Sequence, residues 1–163
     1  MSQAEVERIR VFFSSLDIYP TYLEHEAVIT SSDAAKTRGF ELKQGIKALL
    51  FTNGEEWIIV DVAADRKVDS KKVAATLGWS KSKIRMATAE EVVVKTGCEI
   101  GAVPPFGHAQ RIPILVDVGV YENVESAFNI GLRTHSVKIE TRLMKKVFEQ
   151  LQAREGDFVK EQD

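Results

Sequence analysis

Cysteine is nearly absent from this sequence of 163 residues, which contains only one, Cys98. One thiol cannot form an internal disulfide bond, so the fold does not depend on oxidation. Such a fold is typical of the cytoplasm, where we expect this protein to act. Cys98 is a candidate nucleophile, but no residue near it in the sequence resembles an activating base. We therefore interpret it as a small buried apolar residue.

Long apolar runs are also missing, and residues 1–5 are polar and acidic. We expect neither a membrane span nor a secretory signal peptide. Charges nearly balance, because 22 basic and 24 acidic residues give a net charge of −2. This balance excludes the strongly basic surface of a tight non-specific nucleic-acid binder. It still allows a nucleic-acid partner that the protein contacts at one end only.

Residues that bind metals or common cofactors are sparse. The three histidines, His25, His108 and His135, lie far apart in the sequence, and no pair has the spacing of zinc ligands. The sequence has neither a phosphate-binding loop nor a dinucleotide fingerprint, and no serine stands in a nucleophile-elbow motif. We therefore predict that the protein uses no metal ion and no cofactor.

Hydrophobic residues make up 44% of the sequence, and the length suits one domain, residues 1–163. Helix and strand patterns alternate, and several consecutive strands come late in the chain. This order predicts an α+β (mixed α/β) fold with a curved, barrel-like mixed β-sheet surrounded by helices. The clearest local signals are strands at Ile46–Thr52 and Trp57–Ala63 around an Asn53-Gly54 turn, helices capped by Asp69 and Thr88, and a frayed polar tail after Arg154.

The segment of residues 101–107 has a glycine at each end and two adjacent prolines, Pro104 and Pro105. Proline restricts the backbone and lacks an N–H group, whereas glycine adopts conformations that other residues avoid. Such a loop can direct backbone N–H groups at a carbonyl or phosphate oxygen of a ligand. From these residues alone, a binding loop and a tight helix-to-strand connection are equally good interpretations.

Lys47 lies in the predicted strand Ile46–Thr52 on the same face as Leu49 and Phe51. A lysine on an apolar face is unusual, because an unpaired ammonium group is costly to bury. Lys47 either extends its charge to solvent or directs it into a cleft that binds an anion or a polarised carbonyl.

Two further groups of polar residues allow both a structural and a binding interpretation. His25, with Thr30 and Ser31 after it, can orient a polar ligand or can combine a helix cap with a solvent-exposed histidine. Lys81, Lys83 and Arg85 alternate on one face of a short predicted strand, where they can contact phosphates or form a solvated sheet edge.

In combination, these residues resemble the YbaK/prolyl-tRNA synthetase-associated domain family, the trans-editing aminoacyl-tRNA deacylases. The resemblance extends from about His25 to Leu143 and depends on an ordered set of motifs. The motifs are Glu24-His25, Thr30-Ser31, Ile46-Lys47-Ala48-Leu49-Leu50-Phe51, Ile58-Ile59-Val60-Asp61-Val62-Ala63, Gly101-Ala102-Val103-Pro104-Pro105-Phe106-Gly107 and Phe128-Asn129-Ile130-Gly131.

The resemblance implies a strongly curved mixed sheet and hydrolysis of the ester that joins a mischarged amino acid to the terminal adenosine of a tRNA. Lys47 matches the family's essential lysine and is the implied catalytic residue. The implied partners are the acceptor end of a mischarged tRNA and, as a second candidate, an aminoacyl-tRNA synthetase. The implied substrate-binding residues are His25, Thr30, Ser31, Gly101, Ala102, Val103, Pro104, Pro105, Phe106, Gly107, Asn129 and Gly131.

Ala102 and Pro104 differ from the Gly-Gly-x-Ser-Pro loop of some family members. The methyl group of Ala102 can narrow the pocket, and Pro104 removes a hydroxyl group. These differences bear on the amino acid removed, so Ala-, Cys-, Ser- and Thr-charged tRNAs, including prolyl tRNA, remain alternatives. A non-catalytic module that binds an aminoacyl-tRNA or a synthetase is the second hypothesis for the function.

Overall fold

A computed structural model describes residues 2–26 and 41–162. Thr30 and Ser31 therefore lie outside the described residues. The α-helices within these ranges are α1 (Ser2–Ser15), α2 (Ser70–Leu77), α3 (Ala89–Thr96) and α4 (Thr141–Gln150). The strands are β1 (Thr21–Glu24), β2 (Ile46–Thr52), β3 (Trp57–Ala63), β4 (Arg85–Met86), β5 (Ile114–Asp117), β6 (Glu125–Asn129), β7 (His135–Glu140) and β8 (Arg154–Gly156). No described helix has both the length and the apolar character that crossing a bilayer requires.

The strands form a five-stranded mixed sheet in the order β4-β2-β3-β5-β8 and a three-stranded antiparallel sheet in the order β1-β7-β6. The predicted mixed α+β fold is confirmed. The predicted barrel-like closure is wrong, because neither sheet of the described residues closes on itself. The two sheets are joined by backbone hydrogen bonding only through an isolated parallel bridge between Gly45 and Ala127 among the described residues. One bridge is not a strand pairing, so the hydrogen bonding of the sheets does not form a closed barrel.

The hairpin of β2 and β3 has the predicted bounds, and its turn explains its register. The side-chain oxygen of Asn53 accepts hydrogen bonds from the N–H groups of Glu55 and Glu56, at 2.9 and 2.7 Å. Gly54 has a φ of +101°, which favours glycine. Strand β3 lies in the middle of its sheet, as its apolar character on both faces predicted.

Side-chain caps begin α2 and α3 at the predicted residues. The Asp69 carboxylate accepts hydrogen bonds from the N–H groups of Lys71 and Lys72. Thr88 and Glu91 form a reciprocal capping box at the start of α3. These caps satisfy N–H groups that have no partner within the helix.

Four phenylalanines form the centre of the main core. Phe106 has its ring centroid 5.8 Å from Phe13, 5.6 Å from Phe128 and 5.2 Å from Phe148. These neighbours belong to α1, β6 and α4, so three separate elements surround the Phe106 ring. The loop of residues 101–107 is therefore anchored in the core by its own side chain.

The C-terminal segment is ordered, and the predicted frayed tail is wrong. Strand β8 pairs in parallel with β5, and Phe158 and Val159 are 1% and 5% exposed. The N–H of Phe158 donates a 2.8 Å hydrogen bond to Asp117 Oδ1. In the sequence, Phe158 and Val159 are surrounded by polar residues, which is why the pattern predicted a frayed tail. In the structure, the pair packs on the face of the five-stranded sheet that also contacts α2.

Candidate functional site

The loop of residues 101–107 lies in direct contact with the hairpin of β6 and β7. Three successive carbonyl groups at its start accept hydrogen bonds from that hairpin. They are Ile100 O from the Arg133 guanidinium (3.1 and 2.8 Å), Gly101 O from Asn129 Nδ2 (2.9 Å), and Ala102 O from the Gly131 N–H (2.8 Å). The predicted loop and the predicted glycine segment around Gly131 are therefore one hydrogen-bonded unit.

The glycines at both ends of the loop have left-handed backbone conformations. Gly101 has a φ of +82° and Gly107 a φ of +77°, a region that side chains with a Cβ atom disfavour. A Cβ atom on Gly107 would also lie 2.8 Å from Ile9 Cδ1 in α1. Both positions thus require glycine for a left-handed backbone conformation, and Gly107 also requires it for close packing against Ile9.

Most side chains of the loop face the core. Phe106 and Ala102 are fully buried, Val103 is 6% exposed, and Pro104 and Pro105 are also buried. Gly101, in contrast, is exposed. The surface that the loop offers to a ligand in this conformation therefore lies around the backbone of Gly101.

His108 holds the loop from its C-terminal side. Its Nε2 lies 2.7 Å from the carbonyl oxygen of Pro104. Burial lowers the pKa of His108, so its imidazole is neutral near pH 7. A carbonyl only accepts hydrogen bonds, so Nε2 carries the proton and donates it to Pro104.

Lys47 is a half-buried residue of β2, two positions beyond the bridge between Gly45 and Ala127. Asn129 stands two positions beyond the same bridge in β6, so the two residues occupy equivalent levels of the parallel pair. The side chain of Lys47 leaves β2 on the face opposite Ala48 and Leu50, which belong to the same core cluster as Val103. Lys47 therefore lies level with Asn129. Its side chain points away from the core cluster that contains Val103.

Lys47 has no close partner among the described residues. Within residues 2–26 and 41–162, its ammonium group makes no hydrogen bond and no ion pair within 4 Å. Burial lowers its pKa from the usual 10.5; Asp65 opposes this effect, and Lys67 adds to it. A half-buried cation without a partner is available to an anionic or polarised ligand.

His25 is tied to the same hairpin through Ser136. Its Nδ1 lies 2.8 Å from the Glu26 carbonyl oxygen and donates to it; in the neutral imidazole, Nε2 then accepts from the Ser136 hydroxyl at 3.0 Å. Ser136 pairs with Asn129 in the register of β6 and β7. A continuous row of contacts thus runs from His25 through Ser136 and Asn129 to Gly101.

Ser136 is a residue that the sequence analysis missed, although it is fully buried beside the predicted site. The sequence carried no clear signal for it, because strand alternation places Ser136 on the face of Lys138 and Glu140, opposite the core residues Val137 and Ile139. The contact with His25 also changes the interpretation of that histidine. Both of its ring nitrogens are hydrogen-bonded, so it is not a free solvent-exposed side chain.

The amide of Asn129 is only half satisfied among the described residues. Its nitrogen donates to Gly101, whereas its buried oxygen, Oδ1, has no hydrogen-bond partner there. Leaving a buried acceptor unpaired costs about 1–3 kcal/mol, which makes it a good place for a donor supplied by a ligand. Asn129 therefore combines a structural bond to the loop with a buried acceptor that is unpaired among the described residues.

Other reactive groups have structural roles. Cys98 is fully buried, its thiol contacts the Thr96 carbonyl, and burial raises its pKa to about 11, which confirms the interpretation as a buried apolar residue. In the part of the chain that the structure describes, no group of three or more His, Cys, Asp or Glu residues is arranged to hold a metal ion.

Comparisons with known proteins place this site in a family. The model of the aminoacyl-tRNA editing domain matches residues 25–147, a range that contains Lys47, the loop and Gly131. The multifunctional Ser/Thr-tRNA deacylase ProXp-y of Escherichia coli strain K12 is 34% identical over 122 residues, which are 72% of each chain. A proline–tRNA ligase of Pelobacter propionicus is 31% identical over 91 residues, which are 55% of this chain and 15% of the ligase.

The fold itself also has a close structural relative. A solved structure of a candidate trans-editing enzyme for prolyl tRNA synthetase superposes with a TM-score of 0.83 and covers 96% of this chain and 98% of its own. Its sequence identity is 24%, so this likeness concerns the fold alone. Because the family model spans residues 25–147 and the Escherichia coli deacylase shares 34% identity, this protein belongs to the aminoacyl-tRNA editing domain family, as its motifs predicted.

Proposed function

We propose that this protein hydrolyses the ester bond of a mischarged aminoacyl-tRNA, with Lys47 as the catalytic residue. The observation that carries the proposal is the half-buried ammonium group of Lys47, which has no hydrogen bond or ion pair within the described residues and lies at the level of Asn129. An ammonium group already paired with a carboxylate would have little charge left to attract the ester carbonyl or a phosphate of the substrate. The family match covers Lys47 and the loop, which supports the same assignment.

In the proposed reaction, water attacks the ester carbonyl and the bond between the acyl carbon and the ribose oxygen breaks. The products are a free amino acid and a tRNA with its terminal hydroxyl restored. Negative charge develops on the carbonyl oxygen as water adds, and the Lys47 cation stabilises it or the adjacent phosphate. A partly desolvated ammonium group interacts with that charge more strongly than one in bulk water.

The loop and hairpin supply positioning. Asn129 holds the carbonyl of Gly101 in place, and Gly101 is the exposed residue of the loop. The oxygen of Asn129 is unpaired among the described residues but buried, so a donor on the substrate, for which the α-amino group is a suitable candidate, reaches it only when the adjoining loop shifts. Fixing the substrate between such groups lowers the entropic part of the barrier.

The substrate class follows from the relatives. The Escherichia coli relative is by name a Ser/Thr-tRNA deacylase, and a proline–tRNA ligase shares part of this sequence. We extend the candidate set to Ala-, Cys-, Ser- and Thr-charged tRNAs, including charged prolyl tRNA. The candidate partners are the tRNA acceptor end and an aminoacyl-tRNA synthetase.

A deacylation panel tests the proposal. Wild type, Lys47→Ala and the matched control Lys71→Ala, an exposed lysine of α2, are incubated with each of the four charged tRNAs. We expect Lys47→Ala to lose at least about 100-fold in kcat/KM on the preferred substrate, which is within the range of one electrostatic group in a catalytic site. The control should match wild type.

Two outcomes contradict the proposal in different ways. Equal rates for Lys47→Ala and wild type would remove Lys47 from the mechanism. Tight binding of charged tRNA by wild type without hydrolysis of any of the four substrates would favour the non-catalytic binding module instead.

A further inference from the structure

A groove with a volume of about 620 Å³ lies beside the loop of residues 101–107, between α1, the C-terminal end of α4 and the start of β5. Its apolar lining residues include Phe12, Ile112 and Leu151. Gly107 and His108, which follow directly after the buried part of the loop, also line it. This groove is separate from the row of contacts between His25 and Gly101.

The lining of the groove is basic and rich in amides. Among the described residues, no aspartate or glutamate lines it. This local excess of positive charge contrasts with the net charge of −2 of the whole chain. The charged and amide residues of the lining are Arg8, Arg111, Arg154, Gln110, Gln150 and Gln152.

Two of the three guanidinium groups have no carboxylate partner among the described residues. Arg8 is neutralised by a double contact with Glu5, at 2.9 Å for each bond. Arg154 donates to the carbonyl of Thr76 at 3.1 Å, which leaves its charge unbalanced. Arg111 is exposed and has no hydrogen bond or ion pair within residues 2–26 and 41–162.

We infer that this groove binds the phosphate backbone of the tRNA substrate near its acceptor end. The inference rests on the proposed function, because it concerns the same substrate. Guanidinium groups match the geometry of phosphate oxygens, and the glutamine amides can donate to phosphate or accept from ribose hydroxyls. A groove with charges at separate points fits a chain of phosphates better than a single anion.

The link between groove and loop favours RNA over an acidic protein partner. His108 lines the groove and also donates a 2.7 Å hydrogen bond to Pro104 of the loop. A molecule in the groove therefore lies against the segment that positions the ester. A tRNA supplies both the ester and the adjoining phosphates in one molecule, whereas an acidic segment of a protein supplies only the negative charge.

Binding of uncharged tRNA tests the groove independently of catalysis. The variants are Arg111→Glu and the double variant Arg111→Gln/Arg154→Gln, with Lys71→Gln/Lys146→Gln as a control that removes two exposed charges outside the groove. We expect the double variant to bind about tenfold more weakly at low salt. The slope of log Kd against log salt should fall by roughly 1.5, since each phosphate contact contributes about 0.7–0.9.

A second measurement separates binding from chemistry. The double variant should raise KM for aminoacyl-tRNA with little change in kcat, and it should hydrolyse aminoacyl-adenosine, which lacks the tRNA phosphates, at the wild-type rate. Arg111→Glu serves as the folding-safe variant, because Arg111 makes no bond within the described residues that the substitution would break.

Unchanged tRNA affinity in the groove variants, or an equal loss in the Lys71 and Lys146 control, would overturn the inference. Weaker binding of a synthetase with unchanged tRNA binding would assign the groove to a protein partner and would also overturn it. If wild type binds tRNA through the groove but deacylates nothing, the proposed function fails while the groove inference stands.

Discussion

The side-chain nitrogen of Asn129 donates a 2.9 Å hydrogen bond to the carbonyl of Gly101, and the oxygen of the same amide is buried without a partner among the described residues. One side chain of β6 thus holds the loop in place and keeps an unpaired acceptor buried beside it. This arrangement makes Asn129 the most informative position outside Lys47.

We predict that Asn129→Asp lowers kcat/KM by at least about tenfold, because a carboxylate cannot donate to the Gly101 carbonyl and repels it. Deacylation rates and thermal unfolding are measured together, so that loss of fold is separated from loss of activity. Asn123→Asp is the matched control, since Asn123 donates an equivalent 2.9 Å bond to the carbonyl of exposed Lys43. Equal activity of the two variants would show that the bond to Gly101 is unimportant for catalysis.

The two glycines of the loop should differ in their tolerance of alanine. Gly101→Ala meets only the left-handed backbone cost, about 1–2 kcal/mol, because the nearest atom to its new Cβ would be Arg133 Nε at 3.9 Å. Gly107→Ala adds an overlap with Ile9 Cδ1 at 2.8 Å, so we expect a further loss of about 1–3 kcal/mol in the free energy of unfolding.

Urea unfolding of a double-mutant cycle checks the reason for that difference. Ile9→Val removes the Cδ1 atom and should recover part of the loss in Gly107→Ala but none of the loss in Gly101→Ala. If Ile9→Val affects both glycine variants equally, steric overlap is not the cause.

Asp61 should make the protein less stable as pH rises. Its carboxyl group is fully buried in β3, neither oxygen has a hydrogen bond among the described residues, and burial raises its pKa well above the usual 3.8. Between the unfolded and folded pKa values the native state binds more protons than the unfolded state. The free energy of unfolding therefore falls with increasing pH in that window, by up to about 1.4 kcal/mol per pH unit.

Urea unfolding of wild type, Asp61→Asn and Asp61→Val at several pH values from 4 to 8 measures this effect. The stability of both variants relative to wild type should rise across the range, since neither carries the titrating group. Asp61→Val should be the more stable variant at pH 8, because it also removes the unpaired polar atoms. Parallel pH profiles for all three proteins would contradict the assignment.

Phe158 should be essential for stability although it lies five residues from the C-terminus. Its side chain is 1% exposed, and its backbone N–H is bonded to Asp117. We predict that Phe158→Ala lowers the free energy of unfolding by about 3–5 kcal/mol. Tyr19→Ala, which removes an aromatic ring that is 73% exposed, should change it by less than about 0.5 kcal/mol. If Phe158→Ala is as stable as wild type, the C-terminal segment does not contribute to the core, as the predicted frayed tail would require.

The sequence by itself determined the features that depend on neighbouring residues. The turn at Asn53 and the caps at Asp69 and Thr88 involve contacts within a few positions, and all three occur as predicted. The alternation of β2 likewise placed Lys47 on the face of Leu49 and Phe51. The ordered motifs were sufficient to identify the family and to nominate the loop, because their residue types and spacing are visible in one chain.

Only the tertiary structure decided which distant segments meet. The bond from Asn129 to Gly101 joins residues 28 positions apart, and the bond from Ser136 to His25 joins residues 111 positions apart. The parallel pairing of β8 with β5 similarly depends on how Phe158 packs, which no local pattern reveals. These contacts are set by burial of the shared core, where many residues compete for the same space, so they emerge only when the whole chain has folded.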